Sequence, residues 1–343
     1  MRLLLLLLFL LLAPPALAVD GVLEINQTCA VQTGCFSGDT PGFPVTIDGS
    51  AGKSYRLTSG LALIGQDTSA IQVGSSSVSI DLNGFRISST FTGSGGPGVG
   101  VEDTSPDIRG TSVKNGTIKN WSGDIAVSLG RNAAVTNVNI GGNKTGIRAG
   151  DGATVSRNIV SGGESIVTGA GSTVSPNTVS GGLGIITGVG STVSHNTVSG
   201  AHDGISSGGG STISHNTVSN LPSGGGISCD ACTVVGNSIS DASGTGIRCT
   251  ACTVVGNTVV GTGYNGRSGI VATDGSTVHG NTVRSNGLVS NGTGVLAPGL
   301  SLGPDTTYRE NTITDNGDGA VVGGVNMGDN YCAGTGVTSA SCP

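Results

Sequence analysis

Charged and aromatic side chains are both scarce in this sequence. Charged residues make up 10% of the 343 positions and aromatic residues 3%, whereas an ordinary globular domain carries about 25% charged residues. The formal net charge is -6, and no stretch gathers lysine and arginine into a basic stripe. Such a surface cannot neutralise a phosphate backbone, so we predict no nucleic-acid partner.

Long apolar runs are absent after the first 18 residues. Residues 1–18, MRLLLLLLFLLLAPPALA, combine Arg2, a leucine-rich core and a small-x-small site at Ala16-Leu17-Ala18, which is typical of a secretory signal peptide. The core is too short for a comfortable membrane span. We therefore predict a mature chain from Val19 that is secreted, periplasmic or at the cell surface, with no membrane span. An uncleaved anchor is the alternative.

Glycine is abundant, with 63 residues, and glycine with serine and little charge can indicate a disordered linker. A regular repeat argues against disorder, because segments such as TVSHNTVSG at 192–200 and TISHNTVSN at 212–220 recur about every 20 residues. The asparagines in phase with this repeat are Asn158, Asn177, Asn196, Asn216, Asn237, Asn257, Asn281 and Asn311. A Gly-Ile or Gly-Val pair also recurs, at Gly146-Ile147, Gly184-Ile185, Gly204-Ile205, Gly226-Ile227, Gly246-Ile247, Gly269-Ile270 and Gly294-Val295.

Each repeat therefore holds three short β-branched segments in which one Val or Ile alternates with Thr or Ser. This alternation directs the apolar side chain inward and its neighbours outward. A single repeat cannot bury its apolar residues, but stacked repeats share one core. The sequence predicts an all-β parallel β-helix of roughly a dozen coils. We expect a ladder of stacked, mutually bonded amides inside it, formed by Asn158, Asn177, Asn196, Asn216, Asn237 and Asn257.

The chain is predicted to have four segments. A signal peptide covers 1–18, an N-terminal cap covers 19–53, the parallel β-helix covers 54–325, and a C-terminal disulfide cap covers 326–343. The spacing of the repeat asparagines grows to 24 and then 30 residues near the end, so we expect insertions in one loop of each coil.

The repeats resemble those of the right-handed parallel β-helix superfamily, the fold of pectate lyases. Within it the chain resembles exported bacterial β-helix proteins of unknown activity, through INQTCAVQTGCFSGDTPGFPVTI at 25–47, SYRLTSGLAL at 54–63 and VSIDLNGFRI at 78–87. The resemblance covers nearly all of the mature chain and implies the fold. It implies little about function, because this fold supports many chemistries.

Eight cysteines in a chain predicted to be exported indicate disulfide bonds. Cys29 and Cys35 lie close together before the first coil, and Cys332 and Cys342 lie close together after the last. We predict that each pair forms a local bond that fastens one end of the solenoid.

The central cysteines, Cys229, Cys232, Cys249 and Cys252, form two C-x-x-C motifs one coil apart. Bonds within each coil are favoured. In these two coils the segment from the isoleucine of the Gly-Ile pair to the next core residue is one residue shorter than in coils without cysteine, so each coil has a tighter corner and its own cysteine pair. Bonds between coils, Cys229 to Cys249 and Cys232 to Cys252, also satisfy disulfide geometry. The spacing equally fits four zinc ligands or a redox role.

The resemblance implies where catalytic groups would stand. Pectate-type lyases use acidic calcium ligands and a basic residue on one strand face, and polygalacturonase-like hydrolases use several aspartates. The outward residues that follow the Gly-Ile pairs form a mixed stripe with no acidic ladder, which counts against either cleft. They are Arg148, Val167, Ile186, Ser206, Ser228, Arg248, Val271 and Leu296.

The best catalytic candidates are His202 and Asp203, followed by Arg248. A histidine beside an aspartate, with nearby cations, can serve as acid–base machinery. The alternative is an ordinary solvated turn. Neighbouring coils are expected to place Lys144, Glu164 and Arg267 in the same loop region.

No metal site and no cofactor are predicted, although two features carry residues of metal-binding type. His195 and His215 occupy equivalent positions and should stack, but no third ligand recurs there. Asp315 and Asp318 could contribute to a calcium site, but too few ligands accompany them.

Outward hydroxyls repeat as Thr154/Ser156, Thr173/Ser175, Thr192/Ser194 and Thr212/Ser214, and again as Thr178/Ser180, Thr197/Ser199 and Thr217/Ser219. Flat hydroxyl arrays of this kind occur on solenoids that bind crystalline surfaces, and they are also ordinary solvent-facing residues. We predict a non-catalytic structural or surface-interaction protein whose partner is a polysaccharide or a cell-envelope surface. The alternative is a carbohydrate-active lyase, hydrolase or epimerase that acts in a groove along the solenoid.

Overall fold

The computed structural model describes residues 21–49, 53–64, 68–90, 98–120, 125–142, 144–264, 266–288, 296–334 and 342. The predicted signal peptide at 1–18 lies outside these residues. Among the described residues, none belongs to a helix long and apolar enough to cross a membrane. The helical segment found in them is a π-helical turn at Cys29–Thr33.

The rest of the described chain winds as 38 short strands into a right-handed parallel β-solenoid of about 12 turns. The predicted all-β fold and number of coils are confirmed. Each turn presents three faces to solvent, and its strands pair in parallel with those of the turns before and after it.

Face 1 is a 13-stranded sheet. Its strands are Val45–Ile47, Ile71–Val73, Val101–Asp103, Ile125–Leu129, Thr145–Ala149, Glu164–Thr168, Ile185–Thr187, Ile205–Ser207, Ile227–Asp230, Ile247–Thr250, Ile270–Thr273, Leu300–Leu302 and Val321–Val322.

Faces 2 and 3 share the other 25 strands. Face 2 holds Leu23–Ile25, Ser54–Leu57, Ser79–Asp81, Thr154–Ser156, Thr173–Val174, Thr192–Ser194, Thr212–Ser214, Thr233–Val235, Thr253–Val255, Thr277–His279, Thr307–Arg309 and Val325–Asn326. Face 3 holds Leu61–Leu63, Arg86–Ser89, Ile159–Ser161, Thr178–Ser180, Thr197–Ser199, Thr217–Leu221, Ser238–Ala242, Thr258–Val260, Thr282–Arg284, Thr312–Thr314 and Tyr331–Ala333. Ser112–Lys119 and Ala134–Gly141 run through both faces.

The core is a set of apolar stacks along the solenoid axis. Val193 pairs with Ile213 on face 2, and Val198 pairs with Val218 on face 3. All four side chains are fully buried. The residues on either side of each one point outward, which is the period-2 pattern expected from the sequence.

Asparagine side chains line the corner between faces 2 and 3. The Asn196 carboxamide accepts hydrogen bonds from the backbone N–H and the side-chain NH2 of Asn177, at 2.9 and 3.0 Å. Its own NH2 group donates to Val174 O at 2.8 Å and to Asn216 Oδ1 at 3.0 Å. The same pattern links Asn158, Asn177, Asn196, Asn216, Asn237, Asn257, Asn281, Asn311 and Asn330.

Strand pairing extends beyond the predicted limits of 54 and 325. Leu23–Ile25 already pairs with Ser54–Leu57, and Tyr331–Ala333 pairs with Thr312–Thr314. Neither Leu23–Ile25 nor Tyr331–Ala333 carries the Thr-Val-Ser motif, so the repeat pattern does not reveal their pairing.

Both predicted end disulfides are present. Cys29 is bonded to Cys35, and Cys332 is bonded to Cys342. At the N-terminal end the Phe36 ring packs on Tyr55, with ring centroids 5.0 Å apart. The bonds therefore close the two ends of the stack, where strands have a partner on one side only.

Candidate functional site

An open groove with a volume of about 970 Å³ lies beside face 1. Its floor comes from the strands Ile205–Ser207, Ile227–Asp230 and Ile247–Thr250, and its walls come from the loops that lead from face 3 into them. Tyr264 and Arg267 of one wall lie in the sequence segment whose insertion lengthens the repeat to 24 residues between Asn257 and Asn281. The predicted insertion in one loop of the coil therefore builds one wall of the groove.

The groove floor carries a row of outward side chains. Ser206, Ser228 and Arg248 are neighbours in register on three successive turns. They face outward because the residues before them, such as Ile205 and Ile227, fill the core. The floor is thus polar and has a guanidinium at one end.

The predicted stripe is found on face 1, with one correction at its end. Ser301 follows Val271 in register, and Leu296 lies outside the strand. The Gly294-Val295 pair falls outside the described residues. The 30-residue repeat delays the strand, and Gly299-Leu300 starts it.

His202 and Asp203 form a hydrogen-bonded pair at the groove edge. His202 Nδ1 lies 3.0 Å from Asp203 Oδ2, and the two side chains are 57% and 48% exposed. The backbone N–H of Gly225 donates to Asp203 Oδ1 at 3.3 Å. A side chain at Gly224 would collide with the same carboxylate. The Asp203 carboxylate is thereby held between the imidazole and the next loop, and it lines the groove.

Two arginines and a tyrosine complete the ionisable lining. Arg248 and Arg267 both line the groove and are exposed. Tyr264 is 37% exposed and lies on the same wall as Arg267. Among the described residues, neither guanidinium has a carboxylate within 4.0 Å. The groove therefore offers two cations that no ion pair neutralises, and one carboxylate that is held by other groups.

The predicted clustering around His202 is realised in part. The structure brings Asp203, Arg248 and Arg267 into one groove, but Lys144 is not among its lining residues. The placement of the Glu164 side chain is outside what the structure describes.

The other sequence candidates do not assemble into a site. His195 and His215 stack as predicted, with centroids 5.2 Å apart and rings inclined by 10°. Among the described residues, no group of three or more His, Cys, Asp or Glu is arranged to hold a metal ion, and this applies to Asp315 and Asp318 and to the central cysteines.

The predicted hydroxyl rows are longer than the sequence pattern suggested. On face 2 an outward threonine repeats in register over eight turns, as Thr154, Thr173, Thr192, Thr212, Thr233, Thr253, Thr277 and Thr307. On face 3 the row runs through Thr178, Thr197, Thr217, Ser238, Thr258, Thr282 and Thr312. Both rows are uncharged and lie away from the groove.

The four central cysteines are buried thiols in this structure, with exposures of 2–5%. Neither the predicted within-coil bonds nor the predicted between-coil bonds are formed here. Disulfide pairing of Cys229, Cys232, Cys249 and Cys252 stays a prediction.

Sequence reasoning missed two features. Tyr264 was not singled out, although it lies in the insertion that the 24-residue spacing revealed. A second amide stack, in which Asn286 Nδ2 donates to Asn316 Oδ1 at 3.0 Å, was also missed. Its asparagines follow the repeat motif by five residues in two adjacent turns, and that spacing could have predicted it.

Comparison with known proteins agrees with this architecture. Residues 165–299 match the sequence model of the right handed beta helix region. No curated protein has a sequence that matches the chain.

Two solved structures superpose on most of the chain. The A-module of a mannuronan C-5 epimerase from Azotobacter vinelandii has 12% identity and a TM-score of 0.52, over 82% of this chain and 86% of that one. The Dettilon tailspike protein has 16% identity and a TM-score of 0.53, over 90% of this chain and 70% of that one. Identities this low establish a common fold alone, so the chain is a right-handed parallel β-helix of the kind that an epimerase module and a tailspike share.

Proposed function

We propose that this protein is a carbohydrate-interaction protein that binds a carboxylate-bearing polysaccharide in the face 1 groove. The observation that supports this most is the pair of unneutralised guanidiniums, Arg248 on the floor and Arg267 on the wall, in one open groove. Polymers of uronic acids carry one carboxylate on each sugar, so two such sugars could each meet one arginine.

The chemistry of the lining fits such a ligand. A guanidinium binds a carboxylate through two parallel N–H···O bonds, which is stronger than a contact between neutral groups. Ser206 and Ser228 supply hydroxyls for sugar hydroxyls, and the Tyr264 ring is an amphipathic surface for a sugar face. The groove volume of about 970 Å³ is near the upper end of ligand sites, which are roughly 300–1,000 Å³.

Titration calorimetry with an oligogalacturonate and a neutral oligoglucose of equal length would test the proposal. We expect binding of the acidic oligomer only, weaker at high salt because exposed charges are screened. The double variant Arg248→Ala/Arg267→Ala should lose at least about tenfold in affinity. Arg284→Ala, which removes an exposed arginine from face 3, should bind as the parent does. Equal affinity for both oligomers, or an undiminished double variant, would refute the proposal.

The proposed partner also fits a location outside the cytoplasm. The two end disulfides are compatible with an extracellular or periplasmic protein. We therefore propose that the chain is exported and meets its polysaccharide at the cell surface or in the surrounding medium.

A lyase or epimerase acting on the same polymer is the second candidate. It is favoured by the His202–Asp203 hydrogen bond, which fixes an imidazole beside the groove and suits proton transfer. One neighbour in fold is named for epimerisation of mannuronan. Hydrolysis is less well supported, since it uses two carboxylates and Asp203 is the carboxylate among the lining residues.

Incubation of the mature chain with acidic polysaccharides distinguishes the two candidates. Mass spectrometry detects new oligomers, and proton NMR detects epimerised sugars. Products that disappear in His202→Ala/Asp203→Ala would establish the enzyme. Unchanged polymer, together with measurable binding, would favour the non-catalytic protein.

A further inference from the structure

Four buried cysteines lie directly beneath the groove floor. Cys229 and Cys249 are neighbours in register on face 1, and each follows a groove residue, Ser228 or Arg248. Cys232 and Cys252 stand three residues later, where the chain turns toward face 2. The proposed binding function does not use any of the four.

The cysteines replace hydroxyl residues that neighbouring turns use at the same places. Cys232 and Cys252 continue a row of serines in which Ser211 donates to Gly208 O and Ser276 donates to Thr273 O, both at 2.6 Å. Hydroxyl residues also occupy the place of Cys229 and Cys249 in the preceding turns, where the hydroxyls of Thr187 and Ser207 are hydrogen-bonded to each other. Both substitutions occur together in the same two turns, so each turn has a complete pair.

The corner between the two cysteines of a pair is unusually short. Two residues separate Cys229 from Cys232, whereas three glycines separate Ser207 from Ser211. Ala231 and Ala251 adopt φ values of 50° and 56° there. Left-handed backbone is unfavourable for an L-residue. This short turn therefore keeps the two cysteines of each pair close in sequence, at the cost of an unfavourable backbone conformation at Ala231 and Ala251.

The two pairs lie against each other beneath the groove, where Cys252 Sγ donates to Cys229 O at 3.8 Å. Within each coil the first thiol has its pKa raised, by hydrogen bonding to other thiols and then by burial. Thiol hydrogen bonds lower the pKa of Cys232 and that of Cys252, the latter to about 3. Each pair thus contains one thiolate-prone sulfur beside one protonated sulfur, which suits attack followed by resolution.

We propose that the two C-x-x-C motifs are oxidisable dithiols that form the bonds Cys229–Cys232 and Cys249–Cys252, each closing one short corner under the groove. The oxidant is an exchangeable disulfide. A cysteine thiolate attacks it and releases one thiol; the second cysteine loses its proton, attacks the mixed disulfide and releases the other thiol. Each dithiol gives up two electrons and two protons, and each oxidant disulfide becomes two thiols.

This pairing uses all four sulfurs and joins cysteines that only two residues separate. A diagonal bond between Cys229 and Cys252 would leave the other two cysteines without a bonded partner. Each bond within a coil closes a loop with only two residues between the cysteines, and it leaves the pairing of the face 1 strands unchanged. They would fix the ends of the strands that carry Ser228 and Arg248.

The test is to refold the reduced full chain with oxidised glutathione, so that the thiols meet the oxidant before burial. Remaining thiols are alkylated in denaturant, and the chain is digested with trypsin. Cleavage after Arg248 puts Cys229 and Cys232 in one peptide, and Cys249 and Cys252 in the next. The bonds Cys29–Cys35 and Cys332–Cys342 report that oxidation has worked.

We expect the two central peptides to be separate, free of alkylation and each lighter by two hydrogen atoms. Full alkylation of the four central cysteines would overturn the proposal, and so would a product in which the two peptides are joined. The variant Cys232→Ser/Cys252→Ser restores the residue of neighbouring turns. In it Cys229 and Cys249 have lost their partners and should both be alkylated.

Discussion

The turns before residue 142 and those after residue 144 pass the corner between faces 2 and 3 in different ways. In the last two turns of the first region Gly116 and Val138 occupy the inner corner position, and the strands Ser112–Lys119 and Ala134–Gly141 run straight through it. In the second region Asn158 and its successors occupy the same position, and each strand is split in two.

The difference shows what the asparagines contribute. Splitting a strand removes backbone groups from the sheet, and buried groups of this kind must find other partners. Each carboxamide supplies both a donor and an acceptor, so the second region satisfies its corner from inside. The first region bonds polar groups outside the corner, where Asn115 and the Asn83 backbone N–H donate to Asp81.

The largest expected effect comes from breaking the amide ladder. Asn196→Ala leaves the backbone N–H and side-chain NH2 of Asn177 without their shared acceptor, and it removes the side-chain donor to Val174 O. Since each unsatisfied buried group costs about 1–3 kcal/mol, we expect a loss of at least about 2 kcal/mol. Urea denaturation followed by circular dichroism would measure it. Asn139→Ala, at a strand position of the first region, should change stability by less than about 0.5 kcal/mol; equal losses would refute the role assigned to the ladder.

A smaller effect is expected from pH, and in the first region it comes from Asp103. Burial raises the pKa of Asp103 above 3.8, against the hydrogen bonds from Gly130 N–H and the Thr111 hydroxyl. The folded state therefore holds this proton to higher pH than the unfolded chain does. Its contribution to stability is complete below pH 3.8 and is lost as the pH rises through the folded-state pKa.

An NMR titration of the Asp103 carboxyl carbon would check this expectation. The midpoint should lie above 3.8. Amide protection near Asp103 should fall as the pH rises through this midpoint, and Asp103→Asn should abolish that fall. A midpoint at or below 3.8 would contradict it. The amide ladder of the second region is uncharged and should show no such dependence.

The smallest effect is expected at a corner of the second region where an alanine stands in place of the glycine found in other turns. Ala251 has a φ of 56° where the corners of earlier turns use Gly190 and Gly210, with φ values of 66° and 71°. Ala251→Gly should relieve this strain and stabilise the reduced protein by about 0.5–1 kcal/mol, a gain reduced by the entropy of glycine. Thermal unfolding would measure it, with Ala272→Gly in an adjacent strand as a control expected to destabilise. Destabilisation by Ala251→Gly would contradict the strain.

Much of the fold was predictable because the second region repeats its chemistry at each turn. The regular spacing of Asn196 and Asn216 predicts the corner. The alternation of apolar and polar residues around Val193 predicts the strands and their inward residues. The strands of the first region are harder to predict from the sequence, since Leu23–Ile25 pairs as a strand without carrying the repeat motif.

The candidate site was predictable only in part. His202, Asp203 and Arg248 were found because they flank the repeat motif, where position along the solenoid follows from sequence spacing. Tyr264 and the groove walls were not found, because loop insertions have no period from which a direction can be read. The state of the central cysteines depends on oxidation, which spacing does not encode.

A crystal structure of the protein with a bound oligogalacturonate tests the central proposal most directly. The proposal predicts sugar carboxylates within hydrogen-bonding distance of Arg248 and Arg267, with a sugar ring against Tyr264. Oligosaccharide bound along the threonine rows of faces 2 and 3, with the groove empty at saturating ligand, would contradict it.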